Sequence, residues 1–142
     1  MPLLLQGAAF FLALLGASIC DLRKREIPPI FPIIIAIAGL IEFSPASLLG
    51  IVLCLPFLFF ASKDEQSMGG GDIKLVATCG FLLGLPAGTL GLIIGLTVQL
   101  LEYRAARLFR LHRSRACPLA PCLSIGFFAA YIIFTIVIGG IS

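Results

Sequence analysis

The stretch Gly69-Gly70-Gly71-Asp72-Ile73-Lys74-Leu75 places three glycines and an acid directly before a long apolar segment. A second acid, Asp21, follows the apolar run with which the chain begins. A carboxylate at the edge of an apolar segment is costly when that segment lies in lipid, so it indicates a structural partner or a function. Much of the functional interpretation therefore depends on whether Asp21 and Asp72 meet.

The composition around this stretch is that of an integral membrane protein. Of the 142 residues, 60% are hydrophobic and only 12% are charged. So few charges cannot cover the apolar surface of a soluble domain of this size. Long apolar runs alternate with short polar islands, so we expect an all-α, polytopic membrane protein with one domain over residues 1–142. The first run has no basic leader before it, which favours a retained helix over a removed signal peptide.

Six transmembrane helices are predicted, although several apolar runs are shorter than the roughly 20 residues that a spanning helix needs. Pro56 lies inside the third span and predicts a kink there. Glycines recur every three or four residues from Gly80 to Gly95, which predicts close packing of the fourth and fifth spans with their neighbours. The predicted spans are Leu3–Cys20, Ile30–Phe43, Ala46–Ala61, Ile73–Ala87, Thr89–Tyr103 and Leu119–Ile141.

The basic residues predict the orientation of these spans. All ten lysines and arginines fall in every second island between spans or, for Lys74, at the adjoining start of a span, and the other islands contain none. Because basic islands remain on the cytoplasmic side, the N-terminus and the C-terminus are both predicted to lie outside. Asp21 then follows one crossing and Asp72 follows three, so both lie at the cytoplasmic face. The basic residues are Arg23, Lys24, Arg25, Lys63, Lys74, Arg104, Arg107, Arg110, Arg113 and Arg115.

Each acid has a structural explanation of its own. Asp72 follows glycines and precedes an apolar helix, which is a favoured position for an N-cap. Asp21 lies in the last turns of a helix that we expect to continue toward Glu26, and the neighbouring bases could pair with it. A phosphate-binding loop at the glycines is a weak alternative, because the G-x-x-x-x-G-K-[ST] pattern is absent.

Two aspartates that meet would also have a defined chemistry. Like charges at close range cannot both ionise easily, so such a pair holds one proton. The ionised member draws a proton from water, the protonated member polarises a peptide carbonyl, and the amide is hydrolysed without a covalent intermediate. The sequence offers no better nucleophile, since Ser18, Ser62 and Ser67 have no histidine nearby in sequence and the only histidine, His112, lies in the basic loop.

Three stretches resemble the signatures of type IV prepilin peptidases, in the order in which that family has them. The first is SICDLRKREIP at residues 18–28, an aspartate followed by bases and Ile-Pro. The second is MGGGDIKL at residues 68–75, which is similar to the G-x-G-D motif. The third is PLAPCLSIG at residues 118–126, which is similar to the Pro-x-x-Pro segment that opens the last helix. The resemblance covers nearly the whole chain.

The resemblance implies a membrane-embedded aspartic endopeptidase with Asp21 and Asp72 as the catalytic pair. Enzymes of this type cut the short basic leader from prepilins and pseudopilins at the cytoplasmic face of a prokaryotic plasma membrane, typically just after a glycine. The implied partners are a prepilin-like substrate with a basic leader and an apolar helix, and anionic lipid headgroups; no nucleic acid is expected. The implied motif and supporting residues are Gly69, Gly71, Lys74, Ile27, Pro28, Pro118 and Pro121.

The cysteines bear on the type of member that the chain resembles. Larger members carry a tetracysteine zinc segment and also methylate the new N-terminus. The five cysteines of this chain form no C-x-x-C pair, so we expect no metal, no cofactor and no methyltransferase activity.

Two alternatives remain open for the function. The chain could be a noncatalytic membrane subunit that supports pilus assembly, or a small transporter whose acids bind a cation or a proton. A third functional acid, Glu102, is also possible, and it shares a helix face with Gln99 near the inner boundary.

Overall fold

The computed structural model describes residues 2–63, 70–109 and 119–139. Within these ranges the regular structure is helical, which confirms the predicted all-α class. The elements are α1 (Pro2–Lys24), α2 (Ile30–Leu40), α3 (Pro45–Gly50), a 3₁₀ turn (Ile51–Cys54), α4 (Leu55–Lys63), α5 (Gly70–Leu108) and α6 (Ala120–Gly139).

Four helical segments in the described ranges are long and apolar enough to cross a membrane. Many of their large apolar side chains are exposed, among them Leu4 at 73% and Ile136 at 67%. Exposed apolar surface on this scale is expected of helices that face lipid. The chain is therefore a helical membrane protein, and the count of six crossings stays a prediction. The four segments are Leu4–Lys24, Pro45–Lys63, Gly70–Leu108 and Ala120–Gly139.

The third predicted span is interrupted near Pro56, as the sequence predicts. Helix α3 begins with Pro45 after the extended residue Ser44 and ends at Gly50. The 3₁₀ turn follows, and Pro56 then lies in the first turn of α4. The missing N–H of a proline costs no helical hydrogen bond in a first turn. The 3₁₀ turn therefore accommodates the interruption of the helix before Pro56.

Helix α5 is a helical hairpin. Gly84 has φ 76° and ψ 176°, a backbone region that is open almost only to glycine. A Cβ atom on Gly88 would lie 3.4 Å from the Cα of Gly80, although eight residues of a straight helix rise about 12 Å. The two arms, residues 70–83 and 85–108, therefore fold back on each other. The sequence placed this break slightly later, at residues 86–88, and Pro86 lies instead in the first turn of the second arm.

Glycines allow the second arm of α5 to pack closely against α6. A Cβ atom on Gly91 would lie 2.7 Å from the ring of Phe127, and one on Gly95 would lie 3.0 Å from the Cα of Leu123. Gly126 of α6 meets the backbone of both glycines. As α5 advances, its contacts move backward along α6, so the two helices are antiparallel. The close packing that the glycine spacing predicts is confirmed here.

Contacts at opposite ends of α1 set its direction against α6. A Cβ atom on Gly7 would lie 2.9 Å from the Tyr131 ring, whereas the Asp21 side chain contacts Ala120 at the start of α6. The two helices are therefore antiparallel as well. We call the end of the molecule where α1 stops at Lys24 and where α5 and α6 begin the basic end. The described basic residues near helix termini at this end are Arg23, Lys24, Arg25, Lys63, Lys74, Arg104 and Arg107.

Candidate active site

Asp21 is buried at the basic end. It lies in the last turn of α1, and only 7% of its surface is exposed. One of its oxygens, Oδ2, accepts the backbone N–H of Ala120 at 3.1 Å. The helix stops at Lys24, a little before the expected end, because Arg25 has a positive φ of 55°. A backbone donor on another helix therefore holds Asp21 in place.

Asp72 lies in the first turn of α5 and within electrostatic range of Asp21. Its Oδ1 atom is buried and has no hydrogen-bond partner among the described residues. Gly70 and Gly71 are already helical, so Asp72 is inside the helix and the N-cap interpretation is wrong. Its position in the first turn still suits a negative charge, because the helix dipole is positive there.

The Ile-Pro element packs directly on the glycine motif. A Cβ atom on Gly71 would lie 2.8 Å from the Cβ of Ile27 and 3.3 Å from its carbonyl oxygen. Pro28 follows in the turn before α2, where its carbonyl accepts the N–H of Phe31 at 3.4 Å. Only a residue without a side chain lets these two backbones approach so closely. The contact sets the position of Asp72, next to Gly71, relative to the end of α1.

The start of α6 completes the site. Ser18 on α1 donates a hydrogen bond to Ser124 on α6 at 2.9 Å, and Ser124 donates one to the carbonyl of Ala120 at 2.7 Å. These bonds hold the first turn of α6 against α1, next to Asp21. The sequence did not assign a role to Ser124 or to the N–H of Ala120. The signal available was their place inside or just after the Pro-x-x-Pro element.

The other predicted residues lie in different settings. Lys74 is exposed, and its backbone carbonyl accepts the hydroxyl of Thr78 at 2.9 Å. Pro121 is half-buried in the first turn of α6. Gly69 and Pro118 lie outside the described residues. The structure therefore brings Asp21, Asp72, Ile27 and Gly71 together with the start of α6, and leaves the Lys74 side chain at the surface.

An open cavity of about 510 Å³ lies between the end of α1, the second arm of α5 and the first turns of α6. Its lining includes Leu22, Leu101, Glu102, Pro121 and Ile125. Most of these side chains are apolar, and the Glu102 carboxylate accepts the thiol of Cys122 at 3.1 Å. No group of three or more potential metal ligands occurs in residues 2–63, 70–109 and 119–139. The chemistry that these residues can support is that of two interacting carboxylates next to an apolar groove.

The fold and the site define a class, namely helical membrane proteins in which carboxylates from two helices lie within electrostatic range of each other at one end of the molecule. The model of the type IV leader peptidase family matches residues 8–103, and the chain belongs to that family. The match includes both aspartates and the Ile27-Pro28 element. Searches of curated proteins and of solved structures found no match. Membership in the family implies a leader peptidase.

Proposed function

We propose that the chain is a membrane-embedded aspartic endopeptidase with Asp21 and Asp72 as its catalytic pair. It cuts the leader from prepilin-like or pseudopilin substrates at the cytoplasmic face of the plasma membrane. The observation that carries the proposal is the placement of Asp21, which is buried against the start of α6, within electrostatic range of Asp72 in the first turn of α5. These residues are separated along the chain and belong to the two signatures covered by the family match.

The mechanism uses the pair as acid and base. Two carboxylates in close range hold one proton between them. The ionised member takes a proton from water as the oxygen attacks the peptide carbon, and the protonated member polarises the carbonyl oxygen. Collapse of the tetrahedral intermediate breaks the C–N bond, and a proton passes to the leaving amine. Oδ1 of Asp72, which has no hydrogen-bond partner among the described residues, is the oxygen available to bind the water or, when protonated, the substrate carbonyl.

The hairpin in α5 supports six crossings. Counted as two arms, α5 joins α1, α2, the α3–α4 segment and α6 to make six apolar segments. The described basic residues gather near the basic end, whereas Glu42 lies beyond the other end of α2. A basic end on the cytoplasmic side follows from the positive-inside rule and places both chain termini outside. The catalytic pair then acts at the cytoplasmic boundary and in contact with anionic headgroups.

The open cavity, which is lined by Leu22 next to Asp21 in the sequence, supports the substrate class. Its apolar lining from Leu101, Pro121 and Ile125 suits an apolar helix that enters from the bilayer. Glu102 adds a negative charge near the boundary, and a basic leader is attracted to negative charge. A prepilin-like chain offers both features, with its basic leader before its apolar helix.

Cleavage by matched variants tests the proposal. The reporter is a purified peptide with a basic leader, a glycine and an apolar helix of about 20 residues, reconstituted with the protein in liposomes. Asp21→Asn and Asp72→Asn each keep the side-chain shape but cannot act as acid or base. We expect each to lower the cleavage rate at least about a hundredfold. Glu42→Gln, an exposed acid at the opposite end, is the control and should cut at the wild-type rate.

The outcomes separate the proposal from its alternatives. Folding and insertion of each variant are checked by thermal unfolding in detergent. A folded Asp21→Asn or Asp72→Asn protein that cuts at nearly the wild-type rate refutes the catalytic pair. A wild-type protein that cuts no reporter but supports pilus assembly indicates a noncatalytic subunit, and an ion flux into liposomes without cleavage indicates a transporter.

A further inference from the structure

Two buried side-chain oxygens have no hydrogen-bond partner within the described part of the chain. One is Oδ1 of Asp72, and the other is Oε1 of Gln99 in the second arm of α5. Native proteins pair the large majority of their buried polar atoms because an unpaired one costs free energy. The proposed reaction explains Oδ1 of Asp72, because this oxygen binds the water or the substrate. It does not explain Oε1 of Gln99, which needs a separate explanation.

The helix register indicates that Gln99 lies near the start of α6, which holds Asp21. Gly91, Gly95 and Gln99 are four residues apart and share one helix face. Gly91 packs on Phe127, and Gly95 packs on Leu123, one turn earlier in α6. One further turn along the antiparallel helices brings Gln99 to residues 119–120. The N–H of Ala120 in this turn holds Asp21, so Gln99 and Asp21 flank the same helix start.

We propose that Gln99 is a substrate-binding residue whose amide oxygen accepts a backbone N–H of the peptide segment that enters the catalytic pair. The inference deepens the proposed function and rests on it. A peptide that enters a buried site loses water from its N–H groups and needs acceptors there. A neutral amide supplies one without adding a third charge beside two carboxylates.

Glu102 is less suited to this role. It lies three residues after Gln99 and accepts the thiol of Cys122 at 3.1 Å. It lines the open cavity, so a substrate that enters there contacts Glu102 before it reaches the catalytic pair. In this proposal Glu102 supplies a negative charge at the entrance of the cavity, and Gln99 supplies a neutral hydrogen-bond acceptor near the catalytic pair.

The test compares the half-buried Gln99 with the buried Gln6. Gln99→Leu removes an amide whose oxygen has no partner in residues 2–63, 70–109 and 119–139, whereas Gln6→Leu removes one whose Nε2 donates to the carbonyl of Ala38 at 3.0 Å. We expect Gln99→Leu to unfold at the same or a higher temperature but to raise KM for the reporter about tenfold with little change in kcat. Gln6→Leu should unfold at a lower temperature and keep the wild-type KM.

A binding measurement makes the result independent of cleavage. In the Asp72→Asn background, adding Gln99→Leu should weaken binding of the uncut reporter about tenfold, and adding Gln6→Leu should not. Unchanged KM and unchanged reporter affinity for Gln99→Leu overturn the inference while leaving the proposed function intact. A loss of thermal stability in Gln99→Leu also overturns it, since the amide would then be a structural one. Absence of wild-type cleavage bears on the proposed function, and the binding measurement still decides the role of Gln99.

Discussion

Substitution of Gly71 by alanine gives the sharpest test of how the two signatures are held together. The new Cβ atom would lie 2.8 Å from the Cβ of Ile27, and ordinary van der Waals contact begins at 3.4 Å. Ile27 must therefore retreat by about 0.6 Å. Its Cβ is attached directly to the backbone, so no rotation of the side chain relieves the clash and the backbones themselves must separate.

This separation acts on Asp72, the next residue along α5. A misplacement of about 1 Å at a catalytic group costs roughly a hundredfold in rate, so a shift of this size is expected to cost about tenfold. Overpacking of a tight contact also destabilises a protein by about 1–3 kcal/mol. We expect Gly71→Ala to lower kcat for the reporter about tenfold and to unfold at a lower temperature than the wild type.

Gly70→Ala is the matched control. It changes the neighbouring glycine of the same motif, but its Cβ atom would meet nothing within 4 Å. We expect wild-type cleavage, and stability equal to or above that of the wild type because alanine favours a helix over glycine. Wild-type cleavage by Gly71→Ala would refute the packing argument. An equal loss in both variants would indicate that the motif needs flexible glycines and not a close contact with Ile27.

Two further predictions concern the folding of α5. Gly84→Ala should destabilise the protein by about 1–3 kcal/mol through backbone strain alone, because the space around Gly84 is open and only Pro86 comes within 4.0 Å. Gly139→Ala, where a Cβ atom also has open space, is the control. Equal unfolding temperatures of the two variants would contradict the hairpin. Gly80→Ala drives a Cβ atom into the backbone of Gly50, so its loss of stability should exceed that of Gly84→Ala, and a wild-type unfolding temperature would show that α3 and α5 are not in close contact.

The regular features of the fold could be predicted from local sequence. Apolar runs between basic islands identify helical segments, and Pro56 identifies the break before α4. The reverse turn in α5 was harder to locate, since Pro86 and Gly84 both disfavour a continuous helix. The glycine spacing predicts that Gly84 packs against a neighbouring helix together with Gly80 and Gly88. The structure gives it a positive φ and the turn itself, while Gly80, Gly91 and Gly95 pack as expected.

The candidate site, like the fold, could be predicted from the sequence only in part. The motif spacing identified Asp21 and Asp72, and the charge pattern predicted that they share one face. The contacts that hold the pair come from residues far apart along the chain, such as Ala120 against Asp21 and Ile27 against Gly71. Gln99 had no motif to mark it, and it became a candidate only when its buried oxygen and the packing register of Gly91 and Gly95 on α6 were known.

The sequence by itself determined that the chain is a helical membrane protein, which residues carry its signatures and which family they resemble. Composition and motif spacing are local properties, so they can be recognised without knowing how the helices pack. Only the tertiary structure decided that Asp72 lies within a helix and not at its cap, that α5 turns back at Gly84, and that the start of α6 holds Asp21. The reason is physical, because close contacts between helices depend on which faces meet, and the order of residues along one helix does not specify its partner.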